Sequence, residues 1–233
     1  MISILLLGFL LGMRHALEAD HLAAIASLAT RTTTVGEAMR QGAVWGLGHS
    51  VTLVLFGSMV IWLDAEMPER LARGLEAAVG LMLIVLGLDV LRRLVRDRVH
   101  FHVHGHDGGL QHTHAHTHTH RAERKAGHDP WHHRHEHPRG FPYRALLVGL
   151  MHGMAGSAAM ILITLENVRS PWTAMLYLLL FGLGSILGMA LLSLAITLPL
   201  SSAARSLGWL HNGLQAIIAT ATLALGALML LVV

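Results

Sequence analysis

The sequence predicts an all-α protein that crosses a membrane about six times. Of its 233 residues, 53% are hydrophobic and 13% are charged, which is too little charge to cover a soluble domain. The apolar residues form long blocks between short polar stretches, and each block reaches the roughly 20 residues that a membrane-spanning helix needs. The predicted spans are Ile2–Ala26, Ala38–Leu63, Leu71–Leu94, Pro142–Leu165, Trp172–Leu198 and Leu207–Val233.

Three regions follow from these spans. Residues 1–94 form a first three-helix half, residues 95–141 form a long polar loop, and residues 142–233 form a second three-helix half. The chain contains no Cys, which excludes disulfides and thiolate metal sites.

The two halves carry similar motifs. Gly12-Met-Arg-His15 in the first half is similar to Gly149-Leu-Met-His152 in the second, and Gly46-Leu-Gly-His-Ser50 is similar to Gly182-Leu-Gly-Ser185. Three helices per repeat place the second copy upside down in the membrane. The sequence therefore predicts two inverted three-helix repeats, an arrangement typical of secondary transporters with a binding site at mid-membrane.

Basic residues are divided unequally between the two sides of the predicted bundle. Most of the 17 Lys and Arg residues lie on the side of the long loop, and only Arg70, Arg73 and Arg169 lie on the other side. This asymmetry predicts a bacterial-type cytoplasmic membrane protein with the long loop in the cytoplasm and both termini outside. Because the basic residues lie between hydrophobic blocks, we expect the lipid bilayer, and no nucleic acid, as a partner.

A polar cluster interrupts the first predicted span, with the sequence Arg14-His15-Ala-Leu-Glu18-Ala-Asp20-His21. Each Arg or Asp at the centre of a bilayer costs about 2.5–3.5 kcal/mol on insertion scales. Unpaired, the cluster would cost on the order of 10 kcal/mol, so a functional role is the default interpretation.

Helical geometry divides this cluster between two faces. Arg14, Glu18 and His21 share one face, where Arg14 is expected to pair with Glu18, while Asp20 lies roughly opposite Arg14. One ion can contact His15, Asp20 and His21 together only if the helix unwinds or bends. Alternatively, Asp20 orients a ligand imidazole without touching the ion. The spacing alone leaves both interpretations open.

Other predicted spans offer polar residues at similar depth, namely His49, His152 and Ser185. Imidazoles and carboxylates are ligands that suit Ni²⁺, Co²⁺ and Zn²⁺. Imidazoles alone could instead carry protons. His211, near the start of the last span, is interpreted as an interfacial residue.

The residues resemble a known family. His15-Ala-Leu-Glu-Ala-Asp20-His21 is similar to the His-x4-Asp-His signature of the nickel/cobalt transporter family, and Leu47-Gly-His49-Ser50 is similar to its second-helix motif. His152-Gly-Met-Ala-Gly-Ser157 resembles the urease-accessory-type membrane proteins of the same superfamily. The resemblance implies metal recognition by His15, Asp20, His21 and His49. The chain departs from the family pattern at Glu18, where Asp is common.

The long loop is rich in histidine. It holds 14 of the 19 histidines, many at alternate positions, so that several imidazoles of an extended segment could close on a metal. It is expected to be disordered without metal and accessory to transport. The candidate loop ligands are His100, His102, His104, His106, His112, His114, His116, His118, His120, His132, His133, His135 and His137.

The sequence therefore predicts a secondary transporter of Ni²⁺ or Co²⁺, with no cofactor and no enzymatic activity. The candidate metal ligands within the membrane are His15, Glu18, Asp20, His21, His49 and His152. The alternative is a membrane-bound nickel metallochaperone, or a urease or hydrogenase maturation factor, that transports nothing. Nickel-enzyme maturation proteins are candidate partners in either case. Uptake and efflux both remain open.

Overall fold

A computed structural model describes residues 2–32, 34–63, 68–96, 100–105, 111–116, 140–154, 170–206 and 208–233. In these ranges the chain forms seven helices and one pair of strands. The helices are α1 (Ile2–His15), α2 (Ala19–Ala29), α3 (Val35–Leu63), α4 (Glu69–Arg96), α5 (Tyr143–His152), α6 (Pro171–Ser206) and α7 (Gly208–Val232); the strands are β1 (His100–Gly105) and β2 (Gln111–His116).

Four of the described helices, α3, α4, α6 and α7, are long and apolar enough to cross a membrane. The first predicted span is instead divided into the shorter helices α1 and α2. The chain turns between them, where the Leu17 amide donates to the Arg14 carbonyl and Glu18 adopts an extended conformation. Of the fourth predicted span, the described part is α5 with the turn that follows it, and residues 155–169 lie outside the described residues. The count of six spans therefore stays a prediction.

Glycines allow the central helices to pack closely. A Cβ built at Gly12 of α1 would lie 2.0 Å from the carbonyl oxygen of Phe181 in α6. A Cβ built at Gly149 of α5 would lie 2.1 Å from the carbonyl oxygen of Trp45 in α3. Both positions leave no room for a side chain, as expected where small residues bring membrane helices together.

A second pair of contacts has the same pattern. A Cβ at Gly184 of α6 would meet the carbonyl oxygen of Phe9, and one at Gly48 of α3 would meet that of Leu146. The packing of α1 on α6 in this way matches the packing of α5 on α3. The two helices of each pair run in the same direction, because the numbers of the contacting residues rise together along both helices.

The helices α4 and α7 form a third pair, and these two helices run in opposite directions. Gly80 of α4 faces Gly226 of α7 across this contact. A hydrogen bond of 3.0 Å between the hydroxyl groups of Ser27 and Thr222 links α7 to the short helix α2. Both hydroxyl-bearing residues are buried. Thr222 also donates to the Ile218 carbonyl at 2.7 Å, so the bond chiefly satisfies the Ser27 hydroxyl in an apolar environment.

Arginines hold together the end of the bundle next to the histidine-rich loop. Arg31, just after α2, donates to Asp89 of α4, and Arg93 lies 3.4 Å from the same carboxylate. Arg93 also donates to the hydroxyl of Thr30 at 2.8 Å. Arg40 of α3 donates to the carbonyl of Gly140, where the chain returns from the loop.

Residues 100–105 and 111–116 of the histidine-rich loop form two short strands, and the expected disorder of the loop without metal stays a prediction. Strands β1 and β2 are antiparallel, with His100 opposite His116 and His104 opposite His112. Phe101, Val103 and Thr113, which favour strands, alternate with these histidines and account for the extended conformation. The candidate ligands His106, His118, His120, His132, His133, His135 and His137 lie outside the described residues.

Candidate metal centre

The break in the first span brings two histidines to one place. Helix α1 ends at His15 and α2 begins at Ala19, so the imidazoles of His15 and His21 approach one another, with ring centroids 4.3 Å apart. On one continuous helix these residues would be separated by about 9 Å along the axis. The helix is therefore broken within the polar cluster, which is one of the two arrangements that the spacing left open.

Two further histidines reach the same place from neighbouring helices. The Nε2 atoms of His15 and His49 lie 3.1 Å apart, and the ring of His152 lies 4.3 Å from that of His21. All four imidazoles are buried, with exposed fractions of 5% or less. The close glycine contacts of Gly149 with α3 explain how α5 brings His152 within reach.

Glu18 contacts the first of these imidazoles. Its carboxylate oxygen lies 2.8 Å from Nδ1 of His15. As a carboxylate accepts hydrogen bonds, Nδ1 of His15 carries the proton and Nε2 presents a lone pair towards His49. The expected pair between Arg14 and Glu18 is not formed among the described residues, because the helix ends between them and removes the i, i+4 geometry.

Asp20 contacts two imidazoles at once. Its Oδ1 accepts hydrogen bonds from the backbone amide and from Nδ1 of His21, both at 2.9 Å, and its Oδ2 accepts from Nε2 of His152 at 2.8 Å. These bonds place the proton of each ring on the side of the carboxylate. Asp20 is therefore positioned to orient both imidazoles, and its own oxygens also lie close enough to join a ligand group.

The opposite nitrogens of these rings have no hydrogen-bond partner. Nε2 of His21, Nδ1 of His49 and Nδ1 of His152 are all buried and unpartnered within the part of the chain described. A buried nitrogen without a partner carries a desolvation cost. A lone pair held in this way can bind a cation.

The donor atoms form two possible ligand groups. One consists of His15, His21 and His49, and the other of Asp20, His21 and His152. In each group the three ligand atoms lie within 4.8 Å of one another. His21 belongs to both groups.

Trp45 forms a wall of this centre that the sequence analysis did not include. Its ring centroid lies 5.3 Å from that of His21 and 5.5 Å from that of His152, and it is fully buried. Phe181 lies against the ring of His15, at 5.2 Å. The available signal was position: Trp45 lies one helical turn before His49, deep in a span, whereas membrane tryptophans favour the interfaces.

Two other candidates lie apart from the imidazoles. The hydroxyl of Ser185, although buried, donates to the carbonyl of Gly12 at 3.2 Å and so joins α6 to α1. His211 contacts the carbonyl of Leu200 and the side chain of Gln215. These contacts hold the start of α7 against the end of α6.

Comparison with known proteins agrees with this chemistry. A family model described as a high-affinity nickel-transport protein, NicO, matches residues 1–233. The chain belongs to the NicO family. The resemblance of its membrane motifs to nickel transporters is thereby confirmed at the level of the family.

Curated relatives of this NicO protein have different descriptions. It is 31% identical over 217 residues to a urease accessory protein, UreH, of Bacillus sp. (strain TB-90), an alignment that covers 91% of this chain and 83% of the relative. It is 37% identical over 67 residues to a high-affinity nickel transport protein of Cupriavidus necator, covering 28% of this chain and 19% of that relative. No solved structure matches the chain.

Proposed function

We propose that this NicO protein is a secondary transporter that carries Ni²⁺ or Co²⁺ across the cytoplasmic membrane. The observation that carries the proposal is the convergence of four buried imidazoles at a helix break. The proposed ligands are His15, His21, His49 and His152, with Asp20 and Glu18 as orienting groups, and Asp20 also as a ligand.

The spacing of the nitrogens supports a transition-metal ion. Two imidazole nitrogens that bind one such ion at about 2.0–2.1 Å lie about 3 Å apart when they meet at a right angle. The two Nε2 atoms of His15 and His49 are 3.1 Å apart and share one proton in a hydrogen bond, so an ion that displaces this proton would meet both nitrogens at a suitable separation. Nitrogen ligands of this kind suit Ni²⁺ and Co²⁺ better than Mg²⁺ or Ca²⁺, which prefer oxygen.

The two carboxylates favour a dication over an anion or a neutral solute. Asp20 and Glu18 contact the ligand imidazoles, so their negative charges offset the positive charge that enters an apolar environment. Neither carboxylate has an Arg or Lys partner among the described residues.

The helix contacts support the inverted repeat. Gly12 of α1 corresponds to Gly149 of α5 with an offset of 137 residues, and Trp45 of α3 corresponds to Phe181 of α6 with an offset of 136. The contact of Gly12 with Phe181 in the one helix pair therefore corresponds to the contact of Gly149 with Trp45 in the other. Each His, at position 15 or 152, stands at the end of its helix. We propose that one half rocks against the other about this centre, which would open it to each side in turn.

The UreH relative favours a second candidate, a membrane-bound nickel metallochaperone that transports nothing. In that case the histidine-rich loop would bind metal without any flux through the membrane centre. Under the transport proposal, the loop is accessory and hands nickel to maturation proteins or gathers it. A deletion within the loop separates these roles.

Flux through proteoliposomes tests the transport proposal. We expect the purified protein to move Ni²⁺ or Co²⁺, the His15→Ala variant to move neither, and the deletion of Gly105–Glu136 to retain residual flux. His211→Ala is the matched control, because His211 lies outside the centre. Absence of flux in the unmodified protein, with metal still bound by the loop, would instead support the metallochaperone.

A further inference from the structure

The four imidazoles cannot all bind one ion in the arrangement observed. Two nitrogens on a single transition-metal ion lie at most about 4.2 Å apart, which is twice the length of one metal–nitrogen bond. Among the described residues, no group with ligand atoms within 4.8 Å contains both His49 and His152. An ion held by His49 and an ion held by His152 therefore occupy different positions, which share His21.

The two positions differ in their ligands. The histidine position, made by His15, His21 and His49, has only imidazole ligands. The aspartate position, made by Asp20, His21 and His152, includes a carboxylate. Each position has a partly exposed carboxylate beside it, because the side chain of Asp20 is 26% exposed and that of Glu18, which contacts His15, is 44% exposed.

We infer that a transported ion occupies these two positions in turn and keeps His21 as a ligand throughout; the inference rests on the proposed function. At the aspartate position the ion displaces the ring proton that His152 shares with Asp20, and at the histidine position it displaces the proton between His15 and His49. When the ion moves from the aspartate to the histidine position, its bonds to Asp20 and His152 break and bonds to His15 and His49 form. One proton returns to His152 as one leaves the pair of His15 and His49. The ion stays a dication, and no electron is transferred.

This arrangement meets two requirements of transport. The carboxylate beside each position offsets the ion's loss of hydration. Transfer between two neighbouring positions, each with few ligands, also avoids binding so tight that the ion cannot leave. Because His21 is common to both positions, the ion is never without a protein ligand during the transfer.

Co²⁺ binding to the full-length protein in detergent tests the inference, with visible absorption as the readout. The variants are His49→Ala, which leaves the aspartate position, His152→Ala, which leaves the histidine position, and His21→Ala, which removes a ligand of both. The His211→Ala variant is the control. The loop histidines are the same in all, so the membrane ion is measured as the difference from a variant in which His15, His21, His49 and His152 are all replaced by Ala.

We expect His49→Ala and His152→Ala each to retain a membrane Co²⁺ ion with affinity lowered about tenfold, and His21→Ala to lower it about a hundredfold or more. The two single-position variants should also differ in visible spectrum, because one retains an oxygen ligand from Asp20 and the other has only nitrogen ligands from the protein. Gln in place of Ala at positions 49 and 152 preserves side-chain volume if an Ala variant fails to fold.

Two results separate this inference from the transport proposal. If the unmodified protein shows flux, but His49→Ala and His152→Ala lose the ion as fully as His21→Ala, there is one position and the inference is wrong. If the variants bind as expected but the unmodified protein shows no flux, the transport proposal is wrong and the two positions are supported.

Discussion

At the scale of single residues, the centre depends on carboxylates that decide which nitrogen of each imidazole carries a proton. Glu18 does this for His15, and Asp20 does it for His21 and His152. On the far side of the rings, Nε2 of His21 and Nδ1 of His152 are left as lone pairs without a partner, and Nε2 of His15 faces His49. Metal ligands in proteins are commonly oriented in this way by a second group.

Asp20→Asn is the sharpest test of this orientation. An amide presents one oxygen and one NH₂ group, so one of the two imidazoles loses its acceptor and its ring proton can move to the nitrogen that faces the ion. We expect Co²⁺ affinity to fall by about 10- to 100-fold, measured by titration of the full-length protein.

Glu69→Gln is the matched control, since Glu69 is an exposed carboxylate at the start of α4. Equal affinities for Asp20→Asn and the unmodified protein would contradict an orienting role for the carboxylate.

At the scale of the helices, the centre depends on the break between α1 and α2 and on close packing at glycines. The break turns His15 and His21 towards one another. The contacts at Gly12 and Gly149 bring α6 and α5 close enough to complete the site. At these two contacts a glycine lies against a backbone carbonyl group, where a longer side chain would keep the helices apart.

Gly12→Ala tests the packing. Its added methyl group would lie 2.0 Å from the Phe181 carbonyl oxygen, a backbone atom that moves only with its helix. We expect a loss of stability of about 1–3 kcal/mol, observed as a lower thermal unfolding midpoint in detergent.

Gly213→Ala is the matched control, because nothing lies within 4 Å of the corresponding Cβ position. It should leave the midpoint unchanged or raise it, since Ala favours a helix over Gly. A similar decrease in both variants would mean that the contact at Gly12 is not the cause.

At the scale of the whole molecule, basic residues mark one end of the bundle. Arg31, Arg40 and Arg93 make contacts at this end, which adjoins the return of the histidine-rich loop at Gly140. Under the positive-inside rule this end faces the cytoplasm. The sidedness of the loop remains a prediction.

Thiol labelling tests the sidedness directly, because the protein has no cysteine of its own. Thr34→Cys, at the basic end, is expected to be protected from a membrane-impermeant reagent in intact cells. Glu69→Cys, at the other end of the bundle, is expected to react. Both should react after permeabilisation, which controls for accessibility, and the reverse pattern in intact cells would invert the proposed topology.

The sequence by itself determined the class of protein and its candidate ligands. Long apolar blocks can be stable only in lipid, and ionisable residues such as His15 and Asp20 inside them are too costly to be incidental. That reasoning uses only local composition, so it needs no knowledge of how the helices pack.

The tertiary structure alone decided how the ligands are grouped. The spacing allows Glu18 to contact either Arg14 at i+4 or His15 at i+3, and the helix break leaves it with His15. The two groups of candidate ligand atoms, and the wall formed by Trp45, depend on helices that are distant in sequence. Such contacts follow from the packing of whole helices, because backbone carbonyl groups and glycines set the distance between them.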